Sequence, residues 1–462
     1  MNRPEVDRPD PAATDLSPPR GLKTRLGRRT VACGESGCKG RNGRLRVLLL
    51  AEACNPQSTS VPLQAYYRYA ALRQHVDVTL VTQIRNRSGF ENHGGDHQDI
   101  IYIDSEPVAA PLYKLGKIIT CGHSTALGTQ SAISCPAYLY FEHLVWRRFR
   151  DDLLSGRYDL VHRLTPVSPT FPSPIAKKCP IPFVLGPLNG ALPWPRGTKS
   201  IRWREGEFLV PLRRLYRALP YVRQTYERAD LILTATRYVE ADLPYRARRR
   251  CVRFPGNGVD AKVFNPGSRV PAGQTEPFTV LFVGRLIPIK NPAIVVESIA
   301  RSGLGAQRRV HLIFAGAGPE AGTLRELVQS AGLTEQTTFA GWVPHEKLPD
   351  LYRKASVLAL PSIHESGGAV LVEAMACGLP SIVVDYGGPA EYISTDVGIR
   401  VPLGSHDEMV HGFASALKYL YENPEHLDCL SAQSTRLARR RWCWDAHARQ
   451  LVSLYQSLLG RQ

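Results

Sequence analysis

Two glutamates that lie eight positions apart are the residues whose spacing first suggests chemistry. Residues 361–378 read PSIHESGGAVLVEAMACG, in which Glu365 and Glu373 flank a pair of glycines. Glycines before a helix let a phosphate approach the free amides and the positive end of the helix dipole. A carboxylate is better suited to accept hydrogen bonds from hydroxyl groups. The stretch therefore indicates a nucleotide-sugar site, with Glu373 on ribose hydroxyls and Glu365 on the sugar. The alternative is a helix with a capping acid and a solvated glutamate.

Two cations precede this stretch in a segment that also follows an apolar run. Residues 283–290 read VGRLIPIK and contain Arg285 and Lys290. An arginine can neutralise a pyrophosphate by forked hydrogen bonds, and a lysine can do so as a point charge. The alternative is that Lys290 is a solvated residue before a helix. Further glycine-rich turns, AGAGPE at 315–320 and DYGGPAE at 385–391, follow other apolar runs.

Short apolar runs alternate with helical patterns along most of the chain, which is typical of parallel α/β sheets. The predicted strands are 44–53, 77–84, 158–164, 182–188, 229–236, 277–286, 309–318, 337–343, 356–362 and 379–388. The clearest helical patterns are 62–75, 144–156, 291–303, 322–333 and 440–460. The pattern predicts two doubly wound domains with a cleft between them. Ligands of such sheets bind beyond the carboxyl ends of the strands, which is where the motifs fall.

Composition shifts along the chain predict the domain limits. We expect a disordered basic tail over 1–43 and an N-terminal, acceptor-binding domain over 44–268. A polar linker at 269–277 leads to a nucleotide-sugar-binding domain over 278–438. The last segment, 439–462, is predicted to be an amphipathic helix.

Five motifs in one order make the resemblance to a known family specific. GRLIPIK, AGAGPE, FAGWV, PSIHESGGAVLVEAMACGLP and YGGPAE together resemble the C-terminal half of the retaining glycosyltransferases of family 4. Glu365 and Glu373 match the E-x7-E signature of that family. The resemblance implies the GT-B fold, which has two Rossmann-like domains and a last helix that crosses back to the N-terminal domain. It covers 277–403 strongly and the rest of 44–460 more loosely.

The resemblance also implies a reaction and its residues. A sugar would move from a UDP- or GDP-sugar to a glycan or lipid-linked acceptor, with retention at the anomeric carbon and without a metal or another cofactor. Arg285 and Lys290 would bind the diphosphate, Glu373 the ribose and Glu365 the donor sugar. The remaining predicted donor-binding residues are Gly284, Gly316, Gly318, Gly341, Val343, Ser366, Gly367, Gly368, Ala369 and Val370.

The N-terminal half departs from the family pattern. Residues 52–63, EACNPQSTSVPL, lack the glycine pair expected after the first strand and offer Asn55 and Ser60 on the acceptor side instead. The loop GPLNGALPWP at 186–195 fits the pattern and adds Asn189 and Gly190, although a structural proline-rich turn is the alternative. His162 stands where the family often has a catalytic histidine, and a structural role for it is left open.

Charge and hydropathy limit the classes of partner and the cellular location that we expect. The chain has 58 Lys and Arg against 41 Asp and Glu, a net charge of +17. Such an excess attracts phosphorylated ligands, anionic lipid or nucleic acid, but no nucleic-acid-binding motif is present. The arginine clusters at 202–204 and 213–217 leave open a peripheral association with anionic membrane. No apolar run spans a bilayer and no signal peptide is evident, so we expect a cytoplasmic protein, at or near the inner face of the membrane.

The expected role is polysaccharide or cell-envelope glycan biosynthesis. The rival hypotheses are a sugar-nucleotide epimerase of the same fold and a non-catalytic carbohydrate- or nucleotide-binding protein. An epimerase needs no acceptor, and a binding protein would never release the nucleotide by transfer.

Overall fold

The chain folds into two compact units. A computed structural model describes residues 43–119, 127–195, 197–198, 201–202, 220–269, 271 and 277–461. The N-terminal unit comprises the described residues up to Gly258 together with 444–461, and the C-terminal unit comprises 259–443. Residues 1–42 of the predicted tail, most of the predicted linker and most of the arginine clusters at 202–217 lie outside the described residues.

The N-terminal unit is built on a seven-stranded parallel sheet in the order β3-β2-β1-β4-β5-β6-β7. Apolar runs such as RVLLLA form its central strands because both faces of the sheet are covered by helices, which buries nearly every residue. The strands are β1 Arg46–Ala51, β2 Asp77–Gln83, β3 Ile100–Ile103, β4 Leu160–Thr165, β5 Phe183–Leu188, β6 Leu231–Thr234 and β7 Cys251–Arg253.

Two groups of helices cover this sheet, and the last helix of the chain belongs to one of them. The helices are α1 Val61–Leu72, α2 Arg87–His93, α3 Glu106–Ile119, α4 Leu127–Leu154, α5 Ile175–Lys178, α6 Pro220–Arg228, α7 Arg237–Asp242, α8 Tyr245–Arg248 and, after the C-terminal unit, α16 Trp444–Leu458. Trp444 of α16 stacks on Tyr67 of α1 with ring centroids 5.8 Å apart. The final helix therefore completes the N-terminal core, as the resemblance implied. The helix predicted at 144–156 is the end of the much longer α4.

The C-terminal unit has a six-stranded parallel sheet in the order β10-β9-β8-β11-β12-β13. Its strands are β8 Phe278–Val283, β9 Val310–Ala315, β10 Thr337–Gly341, β11 Val357–Leu360, β12 Ser381–Val384 and β13 Gly398–Val401. Its helices are α9 Ala293–Ser302, α10 Ala321–Ser330, α11 Leu348–Lys354, α12 Ala369–Ala376, α13 Gly387–Tyr392, α14 His406–Glu422 and α15 Pro424–Leu437. Both sheets have the doubly wound strand order that the sequence predicts.

The border between the units lies at different residues from the predicted one. Residues 259–268, assigned to the N-terminal domain from the sequence, cluster with the C-terminal unit. The cause is packing, because Val259 and Phe264 are buried in that unit's core. Next to the second border, which follows Cys443, the carbonyl of Trp442 accepts a hydrogen bond from the amide of Val259 at 2.8 Å.

None of the described helices combines the length and the apolar character that a bilayer crossing needs. Within the described residues, no group of three or more His, Cys, Asp or Glu side chains could hold a metal ion.

Candidate active site

Lys290 and Glu365 meet where the strand order of the C-terminal sheet reverses direction. Lys290 follows β8 and Glu365 follows β11, and these two strands are neighbours in the sheet. The Lys290 ammonium group donates to the Glu365 carboxylate, and the side chains are only 15% and 18% exposed. Ligands of doubly wound sheets bind at this reversal point, beyond the carboxyl ends of the strands. The fold thus brings together two of the predicted catalytic side chains, which are 75 positions apart in the sequence.

The Glu365 carboxylate also closes the glycine turn that begins α12. Its Oε1 atom accepts hydrogen bonds from the amides of Gly367 and Gly368 at 3.4 and 3.1 Å. Gly368 is left-handed, with φ of 78°, and is the N-cap of α12. Burial by itself would raise the pKa of Glu365, but the charge of Lys290 and these hydrogen bonds hold that pKa below its ordinary value. Glu365 is therefore a stable anion next to a helix N-terminus.

The glycine turns after β8 and β9 are in direct contact. The amide of Gly284 donates to the carbonyl of Ala315 at 3.0 Å. A Cβ atom on Gly316 would lie 1.9 Å from the carbonyl oxygen of Gly284, and one on Gly318 would lie 2.3 Å from that of Leu286. Only glycine allows the two turns to approach so closely. Gly316 and Gly318, predicted to bind the donor, thus have a packing role that fixes the loop carrying Arg285 and Lys290.

The turn after β12 is hydrogen-bonded to the backbone of the turn that contains Glu365. The amide of Gly388 donates to the carbonyl of Glu365 at 2.8 Å. A Cβ atom on Gly388 would lie 2.6 Å from the Ser366 carbonyl oxygen, which explains the second glycine of DYGGPAE. Ala369 and Val370 are half-buried at the start of α12.

Glu373 lies on α12 with both carboxylate oxygens engaged. It is 7% exposed, and its Oε2 atom accepts a hydrogen bond from the hydroxyl of the buried Tyr352 at 2.9 Å. Its Oε1 atom accepts one from Nε2 of His345, also at 2.9 Å. The hydrogen bond to Glu373 raises the pKa of His345, against the effect of partial burial. Burial, followed by the charge of Glu373, keeps the pKa of Tyr352 well above its ordinary value, so the phenol stays a donor.

The other predicted donor residues of this unit are more open. Arg285 is exposed on the loop after β8. Gly341 ends β10 in the left-handed region, with φ of 65° and open space where a Cβ atom would be. Trp342 follows with 71% of its surface exposed, and Val343 packs partly against the core.

His162 lies inside the N-terminal core. It is the third residue of β4, not a residue at the strand end, and none of its surface is exposed. Nε2 donates to the carbonyl of Gly186 at 2.6 Å, and Nδ1 accepts from the hydroxyl of Tyr455 on α16. Burial lowers the pKa of His162 to about 3, so the ring is neutral. These contacts fit the structural role that the sequence left open.

The four predicted acceptor-side residues lie on two loops of the N-terminal unit. Asn55 accepts from the amide of Gln57 at 2.9 Å, and Ser60 is the exposed N-cap of α1 with φ of 58°. Asn189 accepts from the amide of Gly190 at 2.8 Å and lines a small cavity that also borders on Arg68. The loops after β1 and β5 therefore present polar groups beyond the carboxyl ends of their strands.

The C-terminal unit is similar to a known family over most of its length. The sequence model of the family described as "Glycosyl transferases group 1" matches residues 268–431. The matched range lies within the C-terminal unit. All residues of the Lys290–Glu365 and Glu373 sites fall within the matched range. The resemblance inferred from the five motifs is confirmed at the level of this family over the matched residues.

Curated relatives of this family match part of the chain. A D-inositol 3-phosphate glycosyltransferase of Rhodococcus erythropolis is 34% identical over 216 residues, which is 43% of this chain and 47% of the relative. One from Saccharomonospora viridis is 31% identical over 51% of this chain and 58% of the relative. One from Catenulispora acidiphila is 28% identical over 66% of this chain and 73% of the relative. The chain thus spans about half the length of the first two relatives.

Solved structures show the same fold over most of the chain. A sucrose-phosphate synthase from Thermosynechococcus elongatus superposes with a TM-score of 0.62 at 20% identity, covering 90% of this chain and all of the other. Anabaena HepE in complex with UDP gives 0.60 at 17% identity over 89% of this chain and all of the other. The predicted GT-B fold is confirmed.

Two residues of the site were not predicted from the sequence. His345 and Tyr352 lie in VPHEKLPDLY, directly after β10, and both bind Glu373. A signal was present, because a histidine that closely follows a predicted strand of this sheet belongs to the edge where the other motifs lie.

Proposed function

We propose that the chain is a retaining glycosyltransferase that moves a sugar from a nucleotide-sugar donor to a hydroxyl acceptor. The observation that carries the proposal is the pairing of Lys290 with Glu365 at the reversal point of the C-terminal sheet, beside the N-terminus of α12. A cation, a carboxylate and a helix N-terminus at one sheet edge suit a ligand with a diphosphate and a sugar. Glu373 lies in the same helix and would take the ribose.

The proposed chemistry centres on the departing diphosphate. The bond from the anomeric carbon to the phosphate oxygen breaks, and the acceptor oxygen bonds to that carbon on the same face. The acceptor proton passes to the leaving phosphate. Negative charge grows on the diphosphate in this step, where Lys290, Arg285 and the α12 amides would stabilise it. Lys290 would then share its charge between Glu365 and the phosphate, and no metal is required by this scheme.

A uridine nucleotide is the first donor to test. Anabaena HepE has been solved with UDP and with UDP-glucose, and the pneumococcal O-GlcNAc transferase GtfA with UDP and GlcNAc. A GDP-sugar stays the other predicted donor.

Two acceptor classes follow from different observations. The excess of 58 basic over 41 acidic residues suits a lipid-linked or glycan acceptor that carries phosphate, as predicted from the sequence. The names of the curated relatives favour D-inositol 3-phosphate, a phosphorylated polyol, as a second candidate. Polysaccharide or cell-envelope glycan synthesis, a cytoplasmic location and contact with anionic membrane stay predictions.

The test is a donor screen followed by a transfer assay. Binding of UDP at about 100 times its Kd should stabilise the chain by about 2.7 kcal/mol, measurable as a rise in Tm. UDP-glucose and UDP-GlcNAc are then incubated with inositol 3-phosphate or with a polyprenyl diphosphate sugar, and released UDP and product are measured. Glu365→Gln should abolish transfer, whereas Glu326→Gln, an exposed residue of α10, should not.

Each rival hypothesis has its own outcome in this assay. Conversion of the donor sugar without any acceptor would support an epimerase. Nucleotide binding without release in the presence of every acceptor would support a non-catalytic binding protein. Transfer with inversion at the anomeric carbon would refute the retaining mechanism.

A further inference from the structure

The carboxylate of Glu373 is held by two side chains that approach it from different elements. Tyr352 belongs to α11 and has no exposed surface, so its hydroxyl reaches Oε2 from inside the core. His345 belongs to the short 3-10 helix His345–Lys347 and is 38% exposed at its side chain, so it reaches Oε1 from the solvent side. The ring of Phe264 packs on both, with its centroid 4.9 Å from His345 and 6.2 Å from Tyr352.

This arrangement fixes the direction of the carboxylate. A carboxylate oxygen can accept more than one hydrogen bond, so each Glu373 oxygen keeps capacity for a further donor. The two donors, one on each oxygen, fix the plane of the carboxylate and so the direction in which its remaining lone pairs point. Without them, the carboxylate could rotate and would lose orientation that a bound diol needs.

We propose that His345 and Tyr352 are positioning residues that orient the Glu373 carboxylate for two neighbouring hydroxyls of the nucleotide ribose. The inference rests on the proposed function, because it takes Glu373 as the ribose-binding group. Tyr352 is buried behind Glu373 and acts through it. His345 adds a donor that becomes a cation at lower pH.

The proton of His345 makes ribose binding depend on pH. The charged groups that face this imidazole are the Glu373 carboxylate at 2.9 Å and the neighbouring Glu346. Tyr352, on the adjacent helix, stays protonated, and the Phe264 ring carries no charge. Both acids favour the imidazolium, and a charge-assisted hydrogen bond is stronger than a neutral one. Donor binding should therefore be tightest when His345 is protonated and should weaken as the pH rises through its raised pKa.

The experiment measures the Kd of UDP by calorimetry from pH 5.5 to 8.5 for the full chain and for His345→Gln, His345→Ala and Tyr352→Phe. Glutamine keeps an N–H donor but cannot carry charge. We expect His345→Gln to weaken UDP binding about tenfold at pH 5.5 and by no more than about threefold at pH 8.5. At pH 8.5, His345→Ala should bind UDP more weakly than His345→Gln does. Tyr352→Phe should weaken UDP binding by about the same factor at all pH values.

A second ligand separates positioning from general weakening. The 2′,3′-dideoxy analogue of UDP lacks the hydroxyls that Glu373 would bind, so the variants should bind it as tightly as the wild type does. In the transfer assay, His345→Gln should raise the KM for the donor while kcat stays within about twofold.

The outcomes distinguish the inference from the function on which it rests. If the wild type binds none of UDP, GDP and ADP, the proposed function fails. If it binds UDP but His345→Gln binds equally well at every pH, the positioning role is refuted. If His345→Ala binds UDP more tightly than the wild type, His345 competes with the ribose, and the inference is wrong. Equal losses for UDP and the dideoxy analogue would also overturn it.

Discussion

Replacing Lys290 by methionine removes one charge from the centre of the site and keeps most of the side-chain volume. In the wild type, the ammonium group of Lys290 bonds to Glu365, and both side chains are less than one-fifth exposed. The variant leaves Glu365 as an anion without its cation. The carboxylate still accepts hydrogen bonds from the amides of Gly367 and Gly368.

The size of the effect follows from this geometry. Removing one partner of a fully buried ion pair costs about 3–5 kcal/mol. The pair here retains some exposure and two amide hydrogen bonds, so we expect a loss of about 2 kcal/mol in the free energy of unfolding at pH 7. For a domain of this size, that loss lowers Tm by about 4–8 °C.

The pH dependence gives the sharper test. The pKa of Glu365 is below its ordinary value in the folded protein, so its stabilisation is present above that ordinary value and is lost as the pH falls through the folded pKa. Without Lys290, burial raises the pKa of Glu365 and the carboxyl takes up a proton more easily. The difference in the free energy of unfolding between the variant and the wild type should therefore be largest at pH 7 and should shrink as the pH approaches about 4.

Urea denaturation of the full chain at pH 7, 5.5 and 4 measures this difference. Lys354→Met, at an exposed position of the same unit, is the matched control and should have no effect. The double variant Lys290→Met with Glu365→Gln should be more stable than Lys290→Met alone, because no uncompensated anion remains. Equal destabilisation at all three pH values, or additive effects in the double variant, would refute the reasoning.

Three further predictions concern other parts of the structure. Gly316→Ala should lower the free energy of unfolding by about 2–3 kcal/mol because its Cβ would lie 1.9 Å from the Gly284 carbonyl, whereas Gly322→Ala, in open space, should be neutral or stabilising in urea denaturation. His162→Gln should lower Tm but leave kcat/KM and its pH profile within about threefold; a loss of 100-fold or more would restore a catalytic role. Binding of UDP should change the fluorescence of Trp342, because this exposed side chain lies between the predicted donor-binding residues Gly341 and Val343, and Trp342→Phe should lose that change. If the change on UDP binding persists in Trp342→Phe, the donor does not bind beside Trp342.

Much of the fold follows from local patterns in the sequence. The apolar run at 277–286 contains β8, and the run at 356–362 contains β11, each with ends within a few residues of the structure. Glycines mark the ends of α12 because Gly368 and Gly378 both take left-handed conformations there. The sequence placed Lys290 and Glu365 at the same edge of the sheet, since each residue closely follows a predicted strand, but it did not predict that they form an ion pair.

Short edge strands were missed for a physical reason. β3, β7 and β13 have four, three and four residues and were not predicted from the sequence. Such short runs carry too little periodicity to be distinguished from loops, and they become strands because a neighbouring strand supplies their hydrogen bonds. β13, for example, pairs with β12 over its whole length.

The sequence by itself determined the alternation of strands and helices, the glycine turns and the types of side chain at the strand ends. The tertiary structure alone decided which of these side chains have partners. His162 is neutral because it is buried, and its hydrogen-bond partner Tyr455 lies 293 positions later, on the last helix. Glu373 is oriented because β10 and α11 bring His345 and Tyr352 to its two oxygens. Burial and pairing depend on contacts between distant segments, and these contacts set both the charge of a group and its direction.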